Sequence, residues 1–459
     1  MMLLNQRKTV HFIGIGGVGM SGLAEFLRTA GYTVTGSDRQ SSAITKRLES
    51  LGITIQYGHA PNLVRDAHLV VYSSAIKEEN PERAYARDNK IPVMRRAEML
   101  GELMRMKFSI AVAGTHGKTT TTSLIGQIFN DAGMTPTVIV GGILRRYDTN
   151  ALVGKGDILV AEADEFDRSF LKMFPSVAVV TNIEADHLDC YSGIDDIKAA
   201  FLQFANLVPF YGALVACADE PGVRELLAGY AKTAITYGVS READYSGRDI
   251  RFTGGKTAFT VHKKAQKLGV LELTIPGLHN VKNALAACAV ATELGVDFGK
   301  IARSLAGFGG IKRRFEIVGQ KAGVTVIDDY AHHPSEIAAT IAAARSAGYR
   351  RVVAVFQPHL YTRTRDFLDG FAQALCAADE LVVTAIYQSR EEPIAGVNSL
   401  AIVEKAKKLG HAHARYIEKK ADIAAQLAPE CRAGDAVVVM GAGDINKICK
   451  DILSGIRDA

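Results

Sequence analysis

Short apolar runs recur along the chain, each followed by a stretch with helical spacing. Val10-His11-Phe12-Ile13, Leu69-Val70-Val71-Tyr72, Ser109-Ile110-Ala111-Val112 and Ile158-Leu159-Val160 come first. Val177-Ala178-Val179-Val180, Val352-Val353-Ala354-Val355, Leu381-Val382-Val383 and Ala436-Val437-Val438-Val439 continue the series. They are nearly continuous rather than alternating, which is the pattern of parallel strands covered on both faces. Strands that alternate with helical stretches define an α/β architecture. Residues 240–275 depart from it. Arg251-Phe252-Thr253, Thr257-Ala258-Phe259-Thr260-Val261 and Val270-Leu271-Glu272-Leu273-Thr274-Ile275 predict a short antiparallel insertion.

Two breaks divide this pattern. The helical stretch Arg96 to Met104 gives way to a new strand near residues 105–108, and the Gly-rich Gly307-Phe308-Gly309-Gly310 precedes the basic Lys312-Arg313-Arg314. The expected domains are therefore 1–106, 107–312 and 313–459. A length of 459 residues, at about 150 per domain, also favours three.

Composition narrows the classes. With 48% hydrophobic and 22% charged residues the chain is neither disordered nor fibrous. Its +5 net charge, from 54 Lys and Arg against 49 Asp and Glu, is too thin to call for nucleic acid or an anionic membrane. Anionic ligands would have to be drawn by local sites. The six cysteines have no CxxC spacing, so neither a zinc ribbon nor a thioredoxin-type site is indicated. They suit small core positions in a reducing cytosol. No apolar run approaches the roughly 18 residues of a spanning helix, and the apolar stretch at the N-terminus is too short for a secretory signal. A cytoplasmic protein is expected.

Gly14-Ile15-Gly16-Gly17-Val18-Gly19 matches GxGxxG between a strand and a helix pattern. Glycines there let the backbone approach a pyrophosphate, and the helix N-terminus supplies N–H donors. Asp38, just after Thr33-Val34-Thr35, stands where a ribose-binding acid would sit. Read alone, the motif says nucleotide diphosphate, most often a dinucleotide. A tight turn with no ligand is the bland alternative. Gly114-Thr115-His116-Gly117-Lys118-Thr119-Thr120 also follows a strand and precedes a helix. It reads as a phosphate cradle, with Lys118 on the β/γ oxygens of ATP and Thr119 toward Mg²⁺. Val112 stands where the longer form of that motif has its first Gly.

Two acidic clusters close apolar strands. Glu162, Asp164, Glu165 and Asp167 form one, and Glu184, Asp186, His187 and Asp189 the other. Carboxylates beside a phosphate loop are what a Mg²⁺-nucleotide site needs. His187 reads equally as a metal ligand or as a hydrogen-bonded turn histidine. Most of the other carboxylates are expected to be solvated or capping residues. ATP with Mg²⁺ in the middle block and a second phosphorylated ligand at the N-terminus is more than a bare ATPase needs. A ligase or a kinase needs both.

Five motifs occur in the order found in the Mur ligases. They are Gly114-Thr115-His116-Gly117-Lys118-Thr119-Thr120-Thr121, Glu162-Ala163-Asp164-Glu165, Asn182-Ile183-Glu184-Ala185-Asp186-His187, His279-Asn280-Val281-Lys282-Asn283 and Arg313-Arg314-Phe315-Glu316. The chain resembles that family from residue 10 to about residue 450. Within it, His11 to Met20, Asp328 to Glu336 and Phe356 to Arg365 are similar to the branch that joins L-alanine to UDP-N-acetylmuramate.

The resemblance implies a Rossmann-like UDP-sugar domain, a central ATP-binding domain and a Rossmann-like C-terminal domain for the amino acid. It assigns UDP to Gly14, Gly16, Gly17, Gly19 and Asp38, with Ser73 and Ser74 added. Lys118 would hold the γ-phosphate, while Thr119, Glu162 and His187 would ligand Mg²⁺. Gly114, Thr115, His116, Gly117, Thr120, His279, Asn280 and Asn283 would complete the ATP site. Helix capping is the bland alternative for Asn280 and Asn283. Arg314 would reach the phosphates and Asp329 would help close the site. Lys312 and Arg313 read as ordinary solvated charges. Tyr330, His332, Arg363 and Arg365 would take L-alanine and its carboxylate, and His333 reads as readily as structural. The implied activity is ATP-dependent amide formation through an acyl-phosphate, for peptidoglycan precursor synthesis. Its substrates are small molecules, with no nucleic acid or membrane, on a monomer or homodimer. The nearest rival is the recycling ligase that attaches a tripeptide, against which the His359 to Arg365 stretch argues. An NAD-dependent oxidoreductase leaves Lys118, Glu162 and His187 without purpose, and a non-catalytic nucleotide-binding regulator is the remaining alternative.

Overall fold

Each of the eight apolar runs lies in a strand, and the strands assemble into three sheets. The computed structural model describes residues 8–457 apart from 74, 189 and 390. The first sheet has the order Thr54–Tyr57, Thr33–Asp38, Thr9–Ile13, Leu69–Tyr72, Val93–Arg95. All its pairs are parallel, which is the Rossmann-like arrangement expected. The third runs Glu316–Lys321, Val324–Asp329, Asp435–Met440, Arg351–Phe356, Glu380–Val383, Ala414–Tyr416. Only its first pair is antiparallel.

The central sheet has ten strands. Its parallel middle is Ala213–Cys217, Val177–Val180, Phe108–Ala113, Ile158–Glu162 and Thr137–Leu144. Thr149–Leu152 closes one edge antiparallel to its neighbour. At the other edge, Ala234–Gly238 is followed by Tyr245–Thr253, Lys256–Lys263 and Gln266–Leu273, neighbours in chain order. The segment read as a separate insertion thus continues the central sheet, joined through Tyr237 opposite Tyr245 and Gly238 opposite Ser246.

Packing groups the chain differently from the sheets. One compact unit reaches Gly247 and includes 261–269 and 282–305; the other holds 248–260, 270–281 and everything from Ala306. The first two sheets share one apolar core, in which Phe12, Leu23, Leu27 and Leu103 join Ile139, Ala161, Phe170 and Phe201. Small residues make that seam close. A Cβ on Gly22, in the helix Val18–Thr29, would lie 2.8 Å from that of Ala151. One on Gly101, in the helix Arg96–Met104, would lie 2.1 Å from the carbonyl oxygen of Lys172. The second unit buries both faces of its sheet, Ile327, Ile341, Phe356 and Phe371 on one and Val326, Val355, Val437 and Ile452 on the other. Among the described residues no helix is long and apolar enough to cross a membrane.

Candidate active site

The strand Phe108–Ala113 lies in the middle of the central sheet, and its end delivers the chain into Gly114. Gly114 has φ +139°, and a Cβ there would sit 1.9 Å from the Thr181 hydroxyl. Only glycine fits that close approach. The neighbouring strand end pins the loop: Thr181 Oγ1 donates to the His116 carbonyl at 2.6 Å, and Asn182 Oδ1 accepts the His116 N–H at 2.8 Å. Thr115 donates its N–H to the Asn182 carbonyl and takes the Glu184 N–H on its hydroxyl. Gly117, at φ +81°, turns the chain into the helix Lys118–Asp131. Thr119 and Thr120 are buried in its first turn. The orphan N–H groups and positive end of such a helix favour an anion.

Lys118 Nζ sits inside the loop it follows. It donates to the carbonyls of Gly114 at 2.6 Å and Thr115 at 3.2 Å, and to both oxygens of Glu165 at 3.0 and 2.8 Å. Burial works against the ammonium, but the carboxylates of Glu165 and Asp164 more than reverse it and hold the lysine above its ordinary value. Glu165 is the residue the sequence pattern misplaces. Expected as a solvated acid, it is buried, and its main-chain carbonyl accepts the Tyr191 hydroxyl at 2.6 Å. Asp164, Glu165 and His187 bring ligand atoms within 4.8 Å of one another. His187 has φ +52°, a conformation that costs a non-glycine residue about 1 kcal/mol and marks a position held by its surroundings. Its Nε2 lies 3.9 Å from Glu165 and 3.8 Å from Asp186. Glu162 closes the strand beside Phe108–Ala113, where the Gly141 N–H holds one of its oxygens at 2.6 Å.

Asn283 is beside the same loop. Its Oδ1 accepts the Thr121 hydroxyl at 3.2 Å and stands 2.6 Å from where a Gly117 Cβ would be. Asn280 instead holds the entry to its own helix, donating to the Pro276 carbonyl at 2.7 Å. The imidazole of His279 lies against Gly277, which has φ +105°.

The glycine turn of the first sheet is built in the same way. Gly14, at φ +77°, and Ile15 both donate to the Ser37 carbonyl, at 2.8 and 3.0 Å. Gly17 leads into the helix Val18–Thr29. Asp38 holds the turn itself, accepting the Gly16 N–H at 2.8 Å. A Cβ on Gly19 would meet Arg96 at 2.9 Å, so a guanidinium stands at this helix start, a cation the motif alone does not reveal. Ser73 accepts the Ala75 N–H. Ser74 and Asp189 lie outside the described residues. Beneath the turn is a buried polar network. Glu82, fully buried, accepts from Ser37 Oγ at 2.6 Å, His59 Nδ1 at 2.8 Å and His11 Nε2 at 3.2 Å. Burial raises its carboxyl, but these hydrogen bonds outweigh that and hold it below the usual carboxylate range.

In the second unit Asp329 ends a strand with both oxygens spent on the backbone, on Phe315 N–H at 2.7 Å and Ala331 N–H at 2.8 Å. Arg314 lies 5.4 Å from the Tyr330 ring and 3.5 Å from Glu336. Arg313 is not a solvated charge: it donates to the Gly441 carbonyl and lies 4.9 Å from the centre of the same Tyr330 ring. Lys312 is exposed, as expected. Tyr330 and His332 meet edge to face at 5.2 Å. His332 approaches His359 at 6.1 Å and Glu336 at 3.1 Å. Arg363 is buried, whereas Arg365 is exposed and pairs with Asp366 at 2.7 Å. His333 accepts from the Ser335 N–H and caps the helix Pro334–Ser346.

A Rossmann-like sheet, a phosphate loop on a central sheet and a third α/β sheet, in that order, are the parts of a Mur ligase, and the chain belongs to that family. Its profiles match in sequence: "Mur ligase family, catalytic domain" over residues 9–108, "Mur ligase middle domain" over 112–291 and "Mur ligase, glutamate ligase domain" over 313–443. More particularly, the chain is similar to the UDP-N-acetylmuramate–L-alanine ligase of Salinibacter ruber, 49% identical over 445 residues, covering 96% of this chain and 94% of that protein. Among solved structures it is similar to the UDP-N-acetylmuramate-alanine ligase of Thermotoga maritima, with TM-score 0.80, 30% identity and 97% and 98% of the two chains covered. The murein peptide ligase of Psychrobacter arcticus is similar at TM-score 0.69 and 28% identity, covering 98% of each chain.

Proposed function

We propose that this protein joins L-alanine to the lactyl carboxylate of UDP-N-acetylmuramate at the expense of ATP, giving UDP-N-acetylmuramoyl-L-alanine, ADP and phosphate. The observation that carries the reading is Lys118, seated in a glycine-bounded loop at a helix start and facing the Asp164, Glu165 and His187 cluster. Near-full-length similarity to alanine-adding relatives supports the substrate. The similarity to a murein peptide ligase is lower, which disfavours the tripeptide reading.

A carboxylate is a poor acyl donor. The lactyl carboxylate attacks the γ-phosphate of ATP, which releases ADP and leaves an acyl-phosphate. The neutral amine of L-alanine then attacks the acyl carbon, and phosphate departs as the amide forms. The protein's work is positioning and charge neutralisation. Lys118 takes the γ-phosphate. The backbone of Gly114, Thr115, His116, Gly117, Thr119 and Thr120 takes the β and γ oxygens, and Asn283 stands at the loop's edge. Gly14, Gly16, Gly17 and Gly19 let the UDP diphosphate approach, with Arg96 as its counter-charge. Asp329 fixes the backbone just after Arg314 and just after Tyr330, and Tyr330, His332 and Arg363 receive the amino acid. A divalent cation fits the donor set, because Asp164 and Glu165 offer hard oxygen ligands and His187 a nitrogen beside a buried lysine, and Glu162 would add an oxygen from the adjoining strand end. Bound there, Mg²⁺ would neutralise charge on the transferred phosphoryl group. The reaction belongs to cytoplasmic precursor synthesis.

The test is ADP formation with UDP-N-acetylmuramate, ATP and Mg²⁺, with and without L-alanine, and with product mass. An L-alanine-dependent signal at the mass of the alanyl product is expected. Product with the tripeptide alone would replace this reading with the recycling ligase.

A further inference from the structure

Lys118 is fully committed in this structure. An ammonium has three N–H donors, and four oxygens crowd it: two loop carbonyls and both oxygens of Glu165. A phosphate oxygen can reach that ammonium only by displacing one of them. The carbonyls of Gly114 and Thr115 are parts of a loop pinned by Thr181 and Asn182. They cannot leave. Glu165 is held through a flexible side chain and is the partner that can swing.

We propose that Glu165 is a positioning residue that competes with the terminal phosphate for Lys118 and so couples nucleotide binding to cation binding. This rests on the reading of Lys118 as the phosphate-binding lysine. When phosphate takes Lys118, the carboxylate of Glu165 loses its cation in a buried place and faces another anion. That arrangement is unfavourable unless a second cation arrives. Asp164 and His187 have ligand atoms within 4.8 Å of Glu165, where a divalent ion would restore neutrality. Metal-free nucleotide therefore binds against Glu165, and metal-bound nucleotide binds with it. Residues that merely anchored Lys118 would have the opposite effect, since their removal would weaken binding under every condition.

The experiment measures calorimetric binding of the β,γ-imido analogue of ATP, in EDTA and in Mg²⁺, to the full-length chain. For Glu165→Gln we expect affinity in EDTA to rise by about tenfold or more, the worth of one charge-assisted contact. The enhancement by Mg²⁺ should shrink by a similar factor. Affinity in EDTA that is unchanged or lower overturns the proposal. Thermal unfolding and UDP-N-acetylmuramate binding check that the variant is folded. If it is not, Glu165→Asp, which withdraws the carboxylate by one methylene, carries the same expectation in EDTA, and no rise there overturns the proposal equally. Lys118→Ala separates the two levels of the argument. If it binds the analogue as tightly as the unaltered protein, the assignment of Lys118 to phosphate fails, whatever Glu165 does.

Discussion

Glu82→Gln tests how far the glycine turn of the first sheet, proposed above to take UDP, depends on a single buried carboxylate. Three donors converge on Glu82, from Ser37, His59 and His11, and neither it nor His11 is exposed. An amide keeps the shape but turns one acceptor into a donor, so the group that meets the new N–H must give up its own donor role, and all three contacts lose a charged acceptor. Hydrogen bonds to a charged group contribute about 1.5–3 kcal/mol each, and breaking a buried charged pair costs about 3–5 kcal/mol. A loss of about 3 kcal/mol is expected, read as a lower urea midpoint at unchanged slope. The consequence reaches the ligand, because Ser37, which donates to Glu82, also holds the Gly14 and Ile15 N–H groups. KM for UDP-N-acetylmuramate should rise while kcat changes little. The pH dependence has a definite sign. Because the folded carboxyl is held low, its stabilisation is complete above the unfolded value, about 4.3, and is lost as pH falls through the folded value. The unaltered protein should therefore lose stability steeply below about pH 4.3, and Glu82→Gln less steeply. A loss under about 1 kcal/mol with unchanged KM would refute the reasoning.

Other substitutions probe separate links. Lys118→Ala should abolish ADP formation yet leave UDP-N-acetylmuramate binding within about twofold by calorimetry, since a change of that size is only about 0.4 kcal/mol; equal loss of both would contradict the division of labour. Gly117→Ala introduces a side chain at φ +81° with its Cβ 2.6 Å from Asn283 Oδ1. The strain of about 1–2 kcal/mol falls on the phosphate loop, so kcat/KM for ATP should drop by about tenfold or more. Steady-state kinetics with near-normal values would show that the loop tolerates it. Gly101→Ala should destabilise by about 1–3 kcal/mol in urea, because its Cβ meets a backbone oxygen that cannot rotate away; a stabilised variant, as helix propensity alone predicts, would refute the close seam.

What could be read in advance follows from burial. Strands such as Val177–Val180 and Val352 to Val355 are covered on both faces and spell it out as unbroken apolar runs. The edge strands Thr54–Tyr57 and Val93–Arg95 are short and largely exposed, so they carry no such run. Val324–Asp329 is wholly buried but ends in two aspartates, one of them binding the backbone on both sides. The loop motifs were legible because glycine at a positive φ leaves a mark in the sequence, as at Gly14 and Gly117. Glu165 was not, because nothing local separates it from Asp164 or Asp167. Its burial comes from Lys118 and Tyr191, one far upstream and the other downstream. Glu82 looks like an ordinary first-turn acid after Pro81, and its three partners are 71, 45 and 23 residues away.

The seam between the first two sheets bears on how such a protein can be recombined. Sequence places a boundary near residue 106, and a cut there would seem to separate two interchangeable modules. Yet Gly22 against Ala151 and Gly101 against the Lys172 carbonyl leave less room than a methyl group. A first-sheet half taken from one relative will seat on the central-sheet half of another only if both small positions travel with their partners. The two halves of this chain fit as a matched pair.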